Sequence, residues 1–317
     1  FRFKILDGLT FTTSNGLDYL NNTSYGFSPL KINSNGSNSM SNSNTQRVLL
    51  QSTNNLTYNK VWNDTHHLTA TAVWEATKSD TRSMSINGQN LQVESVGWWD
   101  VSNAQTRNAS NSYSDWSMLS GVARVIYNYD NRYMFTGTFR ADGSSRFTNN
   151  KWGYFPSIAF AWTASNEKFM EKYRSLVSNL KFRISYGVIG NQDISPYSTL
   201  ALMSQTSTYF GTNSGVTGYW ANTLATPDIK WEKTNQFDIG FDLGLWENRL
   251  TLSFDYFNKQ TSDALLSTRL PNYLGGTSYL INAGEVSNKG FDIALTANLW
   301  SNNDFHWDAA INATYLK

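Results

Sequence analysis

Strict period-2 alternation, strand patterns of membrane-spanning length, and short connections alternating with long ones predict an all-β chain. The predicted fold is a transmembrane antiparallel β-barrel. The alternation is clearest from Phe237 to Tyr256. Phe237, Ile239, Phe241, Leu243 and Leu245 share one parity, and Asp238, Gly240, Asp242 and Gly244 the other. After a turn at Glu247-Asn248, Leu250, Leu252, Phe254 and Tyr256 resume against Thr251, Ser253 and Asp255. Soluble strands usually run about 3–10 residues, and a membrane-spanning strand needs about 9–11. An apolar face opposite a face of Asp, Gly and Ser predicts lipid outside and water inside.

The other elements follow in order. Phe1 to Leu6 reads as the end of a strand, and Gly8 to about Leu20 as the next. Asn22 to Thr45 is rich in Ser, Asn and Gly and reads as a loop. Val48 to Trp62 is a strand, with Val48, Leu50, Leu56, Tyr58 and Trp62 on one parity, and Asn63-Asp64 turns the chain. Leu68, Ala70, Ala72 and Trp74 then oppose Thr69, Thr71 and Glu75. Ser79 to Ser112 reads as a long polar loop. Ala123, Val125, Tyr127 and Tyr129 lead to a turn at Asp130-Asn131, and Tyr133, Phe135 and Phe139 continue. Asp142 to Lys151 is a medium loop, and Ile158, Phe160 and Trp162 mark a strand. Ser165 to Ser178 has helical spacing at Phe169, Tyr173 and Leu176. Leu180, Phe182, Ile184, Tyr186 and Val188 alternate with Lys181, Arg183, Ser185 and Gly187. Gly190 to Ile229 and Thr261 to Lys289 are long connections on either side of the Phe237 hairpin. Phe291, Ile293, Leu295 and Leu299 oppose Asp292, Thr296 and Asn298, Ser301 to Asp304 turns, and Trp307 to Tyr315 closes the pattern.

These make about twelve strands. A soluble antiparallel sheet also alternates, but strand length, loop asymmetry and aromatics beside the short turns together favour a barrel. Trp62, Tyr129, Tyr133 and Trp307 lie beside short turns on the apolar parity, as an interfacial girdle requires. Trp246 and Trp300 also flank turns but fall on the polar parity. The long connections are expected outside the cell and the short turns in the periplasm.

Composition agrees. The 317 residues are 40% hydrophobic and 15% charged with net charge +1, which offers nucleic acid no basic footprint. Mean hydropathy is −0.45, as a barrel allows when only alternate residues meet lipid. No run of about 18 apolar residues marks a transmembrane helix. With no cysteine, disulfides and thiolate metal sites are excluded. Both ends read as strand interiors and no signal peptide opens the chain, so an internal piece of a longer polypeptide is expected.

Little points to catalysis. His66, His67 and His306 sit beside predicted turns without metal-ligand spacing, and read as solvent-exposed turn residues. No phosphate-binding glycine loop follows a buried strand. No cofactor and no enzymatic activity are expected. The polar parity collects Glu75, Arg140, Lys181, Arg183, Asp238, Asp242, Asp255, Asp292 and Asp308. Both signs occur, so these lumen-facing candidates predict a water-filled interior rather than a pore selective for one charge. Trp98, Trp99, Tyr209, Phe210, Tyr219 and Trp220 in the long connections, with Tyr273 and Tyr279, are candidates for stacking on sugars or gripping peptides. Ordinary loop packing accounts for them equally well.

Four segments resemble a known family. Asp142-Gly-Ser-Ser-Arg-Phe147 with Trp152-Gly-Tyr-Phe-Pro-Ser157, Leu180 to Gln192 with Pro196-Tyr197, Trp231 to Gln236, and Asn282 to Ile293 occur in this order. Together they resemble the SusC/RagA-like TonB-dependent transporters of Bacteroidota. The resemblance implies a 22-stranded barrel with an N-terminal plug, of which residues 1–317 would be roughly the middle strands. It further implies a SusD-like surface lipoprotein as lid, TonB as the energy coupler acting through regions outside this chain, and a glycan or peptide substrate. The first 120 residues share only the family's general character. Plug, TonB box and C-terminal strands are not found in the sequence. A non-transporting barrel serving as adhesin or secretion scaffold is the alternative. A barrel enzyme would need a nucleophile and base at one rim, which the histidine positions do not supply.

Overall fold

Period-2 patterning becomes a meander. The structure, a computed structural model, describes residues 1–32, 36–208, 215–271, 273, 277–301 and 305–317. The strands are β1 (Arg2–Leu6), β2 (Leu9–Ser28), β3 (Ser39–Trp62), β4 (His66–Leu91), β5 (Ala104–Tyr129), β6 (Tyr133–Ser144), β7 (Trp152–Thr163) and β8 (Val177–Asn191). Then come β9 (Met203–Thr208), β10 (Val216–Ala221), β11 (Glu232–Leu245), β12 (Leu250–Ser262), β13 (Leu265–Arg269), β14 (Ser278–Asn282), β15 (Val286–Ser301) and β16 (His306–Leu316). Among the described residues twelve of them form one antiparallel sheet in the order β1-β2-β3-β4-β5-β6-β7-β8-β11-β12-β15-β16. The pairs β9–β10 and β13–β14 are separate hairpins. The expected all-β fold and strand number are borne out.

The chain divides into two compact units, Phe1–Thr13 with Asn54–Trp74 and Leu119–Lys317, and Ser14–Thr53 with Glu75–Met118. In the second unit the expected loops Asn22–Thr45 and Ser79–Ser112 are overturned. β2 runs on to Ser28 and β3 starts at Ser39, while β4 reaches Leu91 and β5 starts at Ala104. Ser, Thr and Asn on both faces erase the alternation without affecting the backbone ladder, which pairs strands whatever their side chains. A small core of Met40, Leu91 and Ala104 holds this unit, with Phe27 and Val101 against it. Buried Asn38 imitates a neighbouring strand: its amide donates to the Leu91 carbonyl at 3.1 Å, and its side-chain oxygen accepts from the Leu91 N–H.

In the first unit the turn residues explain the hairpins. Asn63 and Asp64 (φ 52° and 54°) and Asp130 and Asn131 (φ 52° and 51°) are consecutive residues in the left-handed region. That is what a type I′ hairpin turn asks for, and Asn and Asp tolerate it best. The β11–β12 turn goes further, with Trp246, Glu247 and Asn248 at φ 51°, 57° and 63°. Trp246 has therefore left the pleat, which is why its parity misleads. Trp300 misleads for another reason. The β15–β16 ladder shifts between Asn298 and Trp300, leaving Leu299 as the extra residue and setting Trp300 directly across from Trp307. A one-residue bulge flips every later side chain to the other face.

The expected helix over Ser165–Ser178 is realised as two 3₁₀ stretches, Ala164–Asn166 and Lys168–Tyr173. Gly190–Ile229 and Thr261–Lys289 are not plain loops, because each carries a hairpin. Asp142–Lys151 narrows to residues 145–151, since β6 extends to Ser144. The Ser301–Asp304 turn lies largely outside the described residues.

The two faces of the sheet separate cleanly. Ring centroids link Trp162 to Phe182 at 5.8 Å, Phe182 to Phe241 at 6.4 Å, Phe241 to Phe254 at 5.7 Å, Phe254 to Phe291 at 6.2 Å and Phe291 to Tyr315 at 5.4 Å. This aromatic path crosses β7, β8, β11, β12, β15 and β16 on one face. Near the short turns a second group forms. His66 stacks on Trp62 at 5.4 Å and lies 4.9 Å from Tyr129, which stacks on Tyr133 at 6.3 Å. His66 Nδ1 is 2.7 Å from the Tyr127 hydroxyl. His66 is thus half-buried among aromatics, not the exposed turn residue expected.

Candidate functional site

The opposite face of β6, β7, β8, β11, β12 and β15 is polar, and its centre is Arg183. Residues Ala161, Arg183, Gly240, Asp255 and Asp292 lie side by side on five successive strands. Arg183 grips Asp242 with two hydrogen bonds of 3.0 Å each. It also reaches past β11 to Asp255, at 3.0 and 3.1 Å. Gly240 makes that reach possible, because a Cβ there would come within 2.2 Å of the Asp255 carboxylate. Ser253 donates to Asp242 at 2.8 Å, so one guanidinium, two carboxylates and a hydroxyl form a single network. Lys181 stands across from Asp242 on β8, and Asp292 across from Asp255 on β15.

Beside this network the face is hollow. One depression of about 490 Å³ is bordered by Thr138, Arg140, Phe155, Ser157, Gln236 and Asp238, and an adjoining one of about 300 Å³ by Arg183 and Asp255. Small side chains on this parity, among them Ala159, Ser185 and Gly187, make the floor. Arg140 holds Asp142 at 2.9 and 2.7 Å and reaches Ser120 at 3.2 Å, while Gln236 donates to Asp238 at 2.8 Å. The structure therefore sets Arg140, Lys181, Arg183, Asp238, Asp242, Asp255 and Asp292 on one face, opposite the aromatic path.

A loop core stands at the long-connection end. Phe147, Phe155, Ile194, Ile229 and Trp231 are buried together, with Val188, Leu265 and Leu280 against them. Trp231 meets Phe147 at 5.2 Å and the edge of Phe155 at 5.5 Å, and its indole N–H donates to the Lys151 carbonyl at 3.0 Å. Phe155 lies on the polar face, directly across from Arg140, so the connections fold back over that face. Gly190 and Gly153 leave room for the Phe155 ring, since a Cβ would lie 2.0 Å and 2.4 Å from it. Arg146 donates to the Ile194 carbonyl at 3.0 Å, Asn149 to Asp228 at 2.8 Å, and Asn282 to the Lys230 carbonyl at 2.8 Å. The four sequence segments that carry the family resemblance thus meet in and around one core.

Loop aromatics are divided. Trp98 and Trp99 pack on each other at 6.0 Å in the second unit, with Trp99 81% exposed. Tyr219 and Trp220 lie exposed on β10 in the first unit. Tyr209 and Phe210 are outside the described residues. Sequence reasoning assigned no site role to Ser120, Ser253, Arg146 or Asn282. Ser253 was signalled only by its polar parity, and Arg146 and Asn282 only by the motifs that contain them.

At the short-turn end, Glu167 collects the Tyr133 hydroxyl at 2.6 Å, the Trp162 indole N–H at 3.2 Å and Arg132 at 3.2 Å. The Tyr133 bond above all, then that from Trp162, holds its carboxyl below the ordinary carboxylate range. A depressed carboxyl stabilises the fold above its unfolded pKa and loses that contribution as pH falls through its folded one. The stability lost in Glu167→Gln should thus be full above about pH 5 and fade below about pH 4. Heat-modifiability gels across that range check this; a difference unchanged down to about pH 3 would refute the hub.

A long-stranded antiparallel wall with one aromatic face and one charged, hollowed face has the pattern of an outer-membrane β-barrel wall. The chain belongs to the TonB dependent receptor-like β-barrel family, whose model matches residues 1–317. It is 35% identical over 316 residues to TonB-dependent receptor P3 of Formosa agariphila, a match covering 98% of this chain and 31% of that protein. It is 33% identical over 204 residues to TonB-dependent receptor SusC of Bacteroides thetaiotaomicron, covering 63% of this chain and 20% of that protein. The structure of the RagAB peptide transporter superposes with a TM-score of 0.87 at 25% identity, covering 99% of this chain and 35% of that one. The SusC/RagA-like resemblance and the outer-membrane location are therefore borne out. The chain spans about a third of the length of the P3 and RagAB proteins it matches. Its curated relatives are TonB-dependent receptors.

Proposed function

We propose that this chain is the middle wall of a barrel that actively imports a large nutrient, an oligosaccharide or peptide, across the outer membrane. The observation that carries the reading is the separation of faces. An unbroken aromatic path suits hydrocarbon, and an arginine–aspartate network beside a hollow suits a wet passage. In this reading Arg140, Lys181, Arg183, Asp238, Asp242, Asp255 and Asp292 line the lumen. Trp98, Trp99, Tyr219 and Trp220, with Tyr209 and Phe210, offer stacking surfaces to sugar rings or peptide side chains. No step of catalysis is assigned to any of them.

Two kinds of relative support transport: the chain resembles SusC, and RagAB is described as a peptide transporter. By that likeness a SusD-like lipoprotein lids the mouth, TonB supplies the energy, and the plug and remaining strands belong to other parts of the polypeptide. The test is uptake of labelled oligosaccharides and peptides by cells with and without the intact gene, repeated without TonB. Uptake of at least one class should require both the gene and TonB. If uptake of every candidate is the same without TonB, active import is refuted and a scaffold or adhesin takes its place.

A further inference from the structure

The second unit carries a polar hollow of about 560 Å³. Asn44 and Gln46 of β3, Arg82 and Met84 of β4, and Asn111 and Tyr113 of β5 border it. Thr45 meets Ser83 at 3.0 Å and Thr53 meets Glu75 at 3.2 Å. These two contacts keep one register along β3 and β4, which sets Gln46 beside Arg82 and Asn44 beside Met84. Alternation puts those four residues on one face, and Thr45, Ser83, Thr53 and Glu75 on the other. The hollow therefore opens on the parity opposite to Glu75, the lumen-facing candidate of β4.

Its side chains are held from the flanks. Asn44 donates both amide hydrogens, to Asn21 at 2.7 Å and to Thr23 at 2.9 Å, which leaves its oxygen to accept. The Tyr113 hydroxyl donates to Asp80 at 2.8 Å, and the Arg82 guanidinium lies 5.9 Å from the centre of the half-exposed Tyr113 ring. On the same face of β3, two residues before Asn44, Asn42 donates to the Trp98 carbonyl at 3.1 Å. That bond brings the Trp98–Trp99 pair to the end of the hollow, about 7 Å along the strand. The loop beneath the pair is itself fastened. Asn103 donates to the Val93 carbonyl at 2.8 Å and accepts from the Val93 N–H at 3.1 Å, and Arg107 donates to the Ser102 carbonyl at 2.6 Å. An exposed ring pair on a pinned loop, beside amides in a pinned hollow, is preorganised for a ligand.

We propose that this face binds an oligosaccharide, with one end stacked on Trp98 and Trp99 and the other hydrogen-bonded in the hollow. A sugar ring has an apolar C–H face for the tryptophans and hydroxyls that both donate and accept. Side-chain amides offer the same two functions, so Gln46 and Asn111, with the Asn44 oxygen and the Arg82 donors, answer a hydroxyl-covered rim. Met84 adds an apolar patch for a further C–H face. A peptide fits less well. β3, β4 and β5 are internal strands whose main-chain groups are already paired, so a peptide cannot join them as a further strand. The assignment rests on the reading of Trp98 and Trp99 as stacking groups of an importer. It narrows their ligand to a sugar and adds a capture site on the face opposite to Glu75.

Calorimetric titration of the full-length protein in detergent tests it with xylohexaose, mannohexaose, cellohexaose, maltohexaose and hexaglycine. At least one hexasaccharide should bind, and hexaglycine should not. Trp99→Ala and Gln46→Ala should each weaken that hexasaccharide about tenfold, the loss of one stacked ring or of one hydrogen-bonding amide. Both side chains are exposed, so each variant should keep the wild-type heat-modifiable fraction. No binding by any hexasaccharide, binding unchanged in both variants, or equally tight hexaglycine overturns the site. Uptake by cells with and without TonB is read separately. TonB-dependent uptake with no hexasaccharide bound by the purified protein leaves import standing and refutes the site, whereas binding without TonB-dependent uptake does the reverse.

Discussion

Replacing Phe241 by arginine is expected to cost barrel assembly about 2–4 kcal/mol, the penalty of a cation on the lipid face near the midplane. Phe241 sits inside the aromatic path, 5.7 Å from Phe254 and 6.4 Å from Phe182, with no acidic neighbour on its face to receive a guanidinium. Its sequence neighbour Asp242 faces the other way. Asp242→Asn removes one charge from a network in which Arg183 keeps Asp255 at 3.0 Å, so the remaining pair stays satisfied in a wet environment. The folded, heat-modifiable fraction should therefore fall sharply for Phe241→Arg and little for Asp242→Asn. Equal losses would mean that the two faces have been assigned wrongly.

The second large effect is local. Trp231 is 4% exposed, fills the loop core and donates its indole N–H to Lys151. Truncating a buried tryptophan to alanine costs about 3–5 kcal/mol. Here that cost should fall on the connections, because β11 begins only at Glu232 and its ladder to β8 does not need the ring. Trp231→Ala should speed proteolytic nicking within residues 192–231 and 145–151 while the barrel still forms. Wild-type protection of both segments would show that the core does not fasten the loops.

What the sequence disclosed, and what it hid, divides along a physical line. Where apolar and polar side chains keep opposite faces, each residue carries information, and the centres of β8, β11, β12 and β15 could be placed. Where polar side chains stand on both faces, as in Ser14–Thr53 and Glu75–Met118, Ser and Asn on every parity look like loop, although the backbone pairs as strand. Trp246 and Trp300 escaped for a third reason. Parity counting presumes an unbroken pleat, and a left-handed turn and a bulge each break it. At the site, the charged residues of one face were legible one by one, but not their connections. That Arg183 reaches Asp255 depends on Gly240, a residue whose contribution is the space it leaves empty. The loop core was legible only as motifs, since nothing in a linear pattern shows that Phe147, Phe155 and Trp231 converge.

The wall and its loop core also differ in how far along the chain their partners lie. Hairpins such as β11–β12 close over a few residues, whereas Trp231 finds Lys151 from 80 positions away and Asn149 finds Asp228 from 79. Closure entropy must be met before a distant contact gives anything back, so near pairings come early and far ones late. The tight hairpins are therefore expected to register before the loop core is stitched down. A weakened core leaves the rate of wall formation nearly untouched and shows as faster loosening of the finished rim. Trp231 is thus expected to set how long the connections stay fastened, not how quickly the strands pair.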